Sequence, residues 1–301
     1  YDVGLDFDLF KNRLSFSGDF YIKDSKDLLI AGPKLPEQLG AKTPDGNYGS
    51  TRDIGYELQL QWKDSFDLGG KPFRYSIKGV FFDNVCYVTN YYNPTGYIIG
   101  PYNGKQWGEI WGFRTAGIFA SNDEANDWNV DTFHQNGTSV YRAYAGDLKY
   151  VDIDGDGKIG IGKQTLDDHG DLKVIGNTTP RYSYSFTLSA QYKFIDIRAF
   201  FQGVGKRDFF FTNSATFFGF AGEWQRSLYT DHLDYFRYAG SELGANLDSY
   251  YGRLRTDKNN IQVCDRFLQD ASYLRLKNLQ IGFNLPANTK LAKWVKKARL
   301  Y

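Results

Sequence analysis

The sequence predicts an all-β protein built as an antiparallel transmembrane β-barrel. Three observations predict it. Apolar and polar residues alternate over runs of about ten residues, the length that crosses a bilayer when tilted. Short turns at 11–13, 64–72 and 193–196 alternate with long polar stretches at 31–49, 84–180 and 207–265, as in a barrel with short periplasmic turns and long extracellular loops. Aromatic residues make up 18% of the chain, mostly Tyr and Phe, which favour strands and collect at lipid–water boundaries.

The first hairpin is the plainest case. Val3, Leu5, Phe7 and Leu9 point one way and Asp2, Asp6 and Asp8 the other; Lys11-Asn12-Arg13 turns the chain. Leu14, Phe16, Gly18, Phe20 and Ile22 then alternate with polar neighbours. Ile54, Tyr56, Leu58, Leu60 and Trp62 form the next apolar face, and Tyr75, Ile77, Gly79 and Phe81 the one after. The pattern fades from about Asn84 to Pro180, too long for an ordinary connection, so this stretch should be functional or carry small elements of its own.

Alternation returns at Arg181. Tyr182, Tyr184, Phe186, Leu188, Ala190, Tyr192 and Phe194 oppose a face of Arg, Ser, Thr, Gln and Lys, and Ile195, Ile197, Ala199 and Phe201 follow directly. A second long loop region, 207–265, is expected to hold a short helix around Glu223 to Tyr235. In the segment from Ala271 to Pro286, Leu274 and Leu276 are out of phase with Leu279, Ile281, Phe283 and Leu285, which predicts a β-bulge near Asn278. Leu291, Trp294, Val295 and Ala298 recur at helical spacing, so residues 288–298 are expected to form a short amphipathic helix.

Composition narrows the class. Lys and Arg number 36 against 35 Asp and Glu, a net charge of +1, and no basic stripe offers itself to nucleic acid. No apolar run approaches the length of a membrane helix. The chain has no Met, so it reads as an internal or C-terminal piece of a longer protein. Its two cysteines, Cys86 and Cys264, could pair or stay free.

The most specific chemical signal is Asp152-Ile153-Asp154-Gly155-Asp156-Gly157-Lys158-Ile159, the front half of a calcium-binding loop. Asp152, Asp154 and Asp156 would give side-chain oxygens and Lys158 its backbone carbonyl, while Gly157 permits the turn and Ile159 anchors the loop to a core. The twelfth position is Lys163, where an EF-hand places a bidentate Glu, so Asp167, Asp168 and Asp171 are the candidates for remaining oxygens. The ion would be structural. Without an ion, the same residues read as a solvated Asx-rich turn. Trp107, Trp111, Trp128 and Trp224 lie in the loop regions, where they would stack on a ligand or partner, or simply pack the loops. No nucleophile motif, phosphate loop or zinc signature is present, and the chain reads as a non-enzyme.

Four segments together resemble the SusC/RagA-type TonB-dependent transporters of the outer membrane. They are Gly4-Leu5-Asp6-Phe7 with Asp19-Phe20-Tyr21 and Lys26-Asp27-Leu28-Leu29; Asn47-Tyr48-Gly49-Ser50 leading into Gly55-Tyr56-Glu57-Leu58; Gly112-Phe113-Arg114-Thr115-Ala116-Gly117-Ile118-Phe119 with Gly146-Asp147-Leu148-Lys149-Tyr150-Val151-Asp152; and Ala271-Ser272-Tyr273-Leu274-Arg275-Leu276-Lys277-Asn278-Leu279. The resemblance implies that residues 1–301 are part of one barrel domain, the C-terminal strands of a 22-stranded barrel whose plug domain is absent from this chain. It further implies import of oligosaccharides or peptides across a bacterial outer membrane, energised by the TonB complex through the N-terminal part. A SusD-like lipoprotein would serve as lid and membrane lipid would surround the wall. The rival reading is a soluble or surface-anchored, calcium-stabilised all-β carbohydrate-binding module, and a more distant one a secreted β-rich hydrolase.

Overall fold

The computed structural model of the chain describes residues 1–33, 36, 38, 40, 43–128, 130, 132–135, 139–141, 143–212, 215–218, 227–255, 259–286 and 298–301. Two compact units emerge. The first comprises residues 1–89, 179–207 and 271–301, the second residues 90–178 and 208–270.

The first unit is an eight-stranded sheet in which strand follows strand: β1 (Asp2–Leu9), β2 (Leu14–Ala31), β3 (Asp45–Asp67), β4 (Pro72–Asn90), β5 (Arg181–Tyr192), β6 (Ile195–Lys206), β7 (Tyr273–Asn284) and β8 (Arg299–Leu300). The strands run antiparallel. This is the all-β barrel wall that the alternation predicts, open in this chain: among the described residues β1 and β8 do not pair.

Register fixes the faces. Leu5 lies opposite Gly18 and Gly18 opposite Leu58; Phe7, Phe16 and Leu60 make the next row. Across the other strands Ile77, Leu188, Ala199 and Leu279 form one row, and Tyr75, Ala190, Ile197 and Ile281 another. Every member of these rows is apolar or glycine. The Tyr56 and Phe81 rings, 5.9 Å apart, join the two sets on a common face. The opposite face reads Ser76, Ser189, Arg198, Gln280 in one row and Arg74, Gln191, Asp196, Gly282 in the next. The apolar face is bare, with Val3 72%, Leu279 56% and Ile281 61% exposed.

The turns follow from backbone chemistry. Phe10, Lys11 and Asn12 all take positive φ, and the Arg13 amide donates to the Leu9 carbonyl at 3.1 Å. Gly69 and Gly70 at φ 60° and 74° reverse the chain between β3 and β4, the left-handed pair a tight hairpin requires. The bulge expected near Asn278 is present at Lys277: Phe200 pairs with Asn278 but Phe201 with Leu276, which puts Leu274 and Leu276 on the face of Leu279.

Some boundaries differ from the sequence reading. β2, β3 and β4 are 18, 23 and 19 residues long, beyond the bilayer length expected. β3 begins at Asp45, inside the stretch read as loop, because Ile30 and Ala31 of β2 pair with Gly46 and Asp45. β4 continues to Asn90 past the point where its pattern fades. Just before that point Asp83 is buried and forked by Arg181 of β5 at 2.5 and 2.6 Å. The expected helix at Glu223–Tyr235 lies partly outside the described residues; within them Thr230–Leu233 is a 3-10 turn. The expected helix at 288–298 falls outside the described residues except for Ala298. Among the described residues no helix is long and apolar enough to cross a membrane, which says nothing about strands.

The second unit has a core of its own. Ile98, Phe113, Leu148, Tyr150, Ile159 and Phe267 are fully buried together, with Phe210, Phe218 and Tyr251 around them. Rings meet edge to face, as Phe218 and Phe267 do at 5.2 Å, the preferred aromatic geometry. Short antiparallel pairs frame this core: Glu109–Gly112 with Lys173–Asn177, and Thr115–Ile118 with Leu148–Tyr150. Much of the aromatic content thus fills a core instead of lining a membrane boundary. Both cysteines are free.

Candidate functional site

The acidic loop forms as its residue types dictate. Gly155 and Gly157 sit at φ 76° and 77°, so the chain can coil tightly between them. Asp152 accepts the Gly155 amide at 2.7 Å with one carboxylate oxygen and the Gly157 amide at 3.0 Å with the other. Asp154 accepts from the Asp156 amide at 3.1 Å, and Asp156 from the Lys158 amide at 2.8 Å. These are successive Asx turns. They bring one oxygen of each of Asp152, Asp154 and Asp156 within 4.8 Å of the others. Three like charges so close repel, and a hard cation among them would remove that repulsion and accept their oxygens. Lys158 is exposed beside them, and Ile159 is buried in the core, the anchor expected of it.

A fourth carboxylate closes the loop from beneath. Asp171 is 1% exposed and accepts the Ile153 amide at 2.6 Å and the Gly160 amide at 2.7 Å. Burial, with the neighbouring Asp154 charge adding to it, holds its carboxyl above the usual carboxylate range against the lowering effect of those amides. Asp168 faces the Lys163 ammonium at 3.3 Å.

A buried ionic node supports the same unit. Asp147 is wholly buried and takes the Arg253 guanidinium at 2.6 and 3.1 Å, Arg255 at 2.8 Å, the Asn260 amide group at 3.0 Å and the Tyr144 backbone N–H at 3.0 Å. Asn260 in turn accepts the Leu148 amide at 3.0 Å. Gly146, at φ 88° and with no room for a Cβ against Phe236, lets the chain enter this node. Nothing in the local sequence marks Asp147 as ionic anchor, because its side-chain partners Arg253, Arg255 and Asn260 lie more than a hundred residues on.

The tryptophans have different surroundings. Trp107 is 54% exposed, its carbonyl accepting from Asn177 at 3.1 Å. Trp111 packs against the buried core, its ring 5.6 Å from that of His169. Trp128 meets Phe119 edge to face at 5.8 Å, and the Lys149 ammonium lies 5.4 Å from its ring. Lys149 also pairs with Glu124, whose carboxyl this hydrogen bond holds below its ordinary value. Trp224 lies outside the described residues.

Comparison with known proteins follows the fold. No family model matches the chain. TonB-dependent receptor P3 of Formosa agariphila is 27% identical over 323 aligned residues, covering all of this chain and 28% of that protein. TonB-dependent receptor P26 of the same organism is 24% identical over 319 residues, again covering the whole chain and 29% of the relative. The solved structure of the RagAB peptide transporter superposes on 99% of this chain and 30% of its own with a TM-score of 0.62 at 20% identity, and the RagAB peptide importer in its open-open state gives 0.62 at 21%. The chain therefore spans less than a third of the length of the relatives it matches. The chain is thus similar along its whole length to TonB-dependent receptors, and its sheet shares the fold of the RagAB barrel.

Proposed function

We propose that this chain forms part of the wall of an outer-membrane channel that imports oligosaccharides or peptides, driven through the TonB complex and capped by a SusD-like lipoprotein. The observation that carries this reading is the bare apolar face of the first unit, row upon row of Leu, Ile, Phe, Tyr and Ala with polar residues behind it. In water such a face would be a liability; in lipid it is the outer surface of a barrel. A soluble carbohydrate module would need those side chains packed under a second sheet, and they stand exposed. The relatives' names, receptor and peptide transporter, favour transport over catalysis. Residues 1–301 then belong to one barrel domain, with the second unit inserted after β4 and after β6 as its loops.

The acidic loop fits a structural calcium ion on Asp152, Asp154, Asp156 and the Lys158 carbonyl, holding the loop in shape for the lid. Exposed Trp107 is the ring best placed to meet a ligand or the partner; Trp111 and Trp128 do more for loop packing. The test is uptake. Cells lacking the full-length receptor should lose growth on one oligosaccharide or peptide source and regain it on complementation, and the receptor should co-purify with a lipoprotein. Unimpaired growth on every such source and purification alone would refute the reading.

A further inference from the structure

The polar face of the first unit holds a cavity of about 460 Å³ beside the Lys193 turn. Register sets its walls. Arg74 of β4 lies in the row of Gln191 and Asp196, and Arg198 of β6 in the next row, opposite Ser189. β4 and β6 flank β5, about 10 Å apart across two strand spacings. Ser189 and Gln191 therefore make a neutral floor with a long cationic side chain on each side.

The charges do not balance. Among the described residues three arginines and one aspartate line the cavity. The aspartate is already committed: both Asp196 oxygens are forked by Arg299, and Asn284 donates to it at 2.8 Å. Among the described residues neither Arg74 nor Arg198 has an ion-pair partner. Two guanidinium groups facing one cavity repel each other, and an anion between them would reverse the sign of that interaction. A planar guanidinium fork matches a carboxylate through two parallel hydrogen bonds, which a lysine ammonium would not.

We propose that this cavity is a carboxylate receptor, with Arg74 and Arg198 clamping one acidic group over Ser189 and Gln191. The carboxylate can come from a small solute in the channel or from an Asp or Glu of polypeptide lying against this face. Thermal unfolding of the full-length receptor in detergent at low salt separates these sources, comparing wild type, the R74Q/R198Q double variant, and Lys78→Gln as a polar-face control outside the cavity. A solute site predicts that millimolar glutarate raises Tm in wild type and Lys78→Gln but not in R74Q/R198Q. A polypeptide site predicts no glutarate effect, and a Tm lower by about 1–2 °C or more in R74Q/R198Q alone, the difference closing as salt rises to about 0.5 M. If glutarate is inert and R74Q/R198Q is as stable as wild type or more stable, only repulsion has been relieved and the proposal is overturned.

Discussion

Asp171 and Gly160 hold each other twice: the Gly160 amide donates to the Asp171 carboxylate at 2.7 Å, and the Asp171 amide donates to the Gly160 carbonyl at 2.9 Å. With the Ile153 amide on its other oxygen, Asp171 closes both ends of the acidic loop around one buried side chain. The loop's shape is thus set from below by a residue that the sequence offers as a ligand oxygen and that the fold uses to accept two backbone amides.

Replacing Asp171 by Ala should strand two amides and destabilise the second unit by about 2–4 kcal/mol. The effect of pH follows from burial. The folded-state value lies above the unfolded one, so ionisation costs the folded loop more. The contribution is full below the unfolded value and is lost as pH rises through the folded one. Relative to Asp171→Asn, wild type should therefore gain stability as pH falls from 7 toward 4. Melting of both proteins across that range checks it; a difference independent of pH would contradict the assignment.

Calcium should protect the loop at 152–158 from proteolysis in the full-length receptor, and Asp154→Asn with Asp156→Asn should abolish the protection. The barrel should stay folded, as judged by heat-modifiable mobility on gels, while association with the proposed lid lipoprotein weakens. Loss of the barrel in that variant would show that the loop does more than brace.

Asp147 and Arg253 make a sharper test of the second unit. Removing the carboxylate in Asp147→Ala leaves Arg253 and Arg255 without their shared partner and should cost about 3–5 kcal/mol. Limited proteolysis should then cut within 144–151 or 251–255 well before the sheet is touched. Unchanged digestion would mean that the node contributes little.

The sheet was legible because its signal is local. Side chains of period two, from Val3 to Leu9 and from Tyr182 to Ala190, report one face directly, and even the bulge at Lys277 shows as a phase slip between Leu276 and Leu279. Strand ends were not. Gly46, Asn47 and Gly49 have little strand preference of their own and pair because β2 offers its edge. The acidic loop was legible for the same reason as the strands: its carboxylates are two residues apart. Asp147 was not, since it acts through Arg253 over a hundred residues away; Asp171 was named for the loop, but its role in holding the Gly160 and Ile153 amides is set by the fold.

The central claim is that one face of this sheet meets lipid and the other water. Single nitroxide labels along β5 in the full-length receptor, reconstituted in liposomes with Cys86 and Cys264 replaced by Ser, measure this residue by residue. Labels at Tyr184, Phe186, Leu188 and Ala190 should be relaxed by oxygen, and those at Ser183, Ser185, Thr187 and Ser189 by a water-soluble nickel chelate, in strict alternation. Equal access of the chelate to both sets would contradict the account.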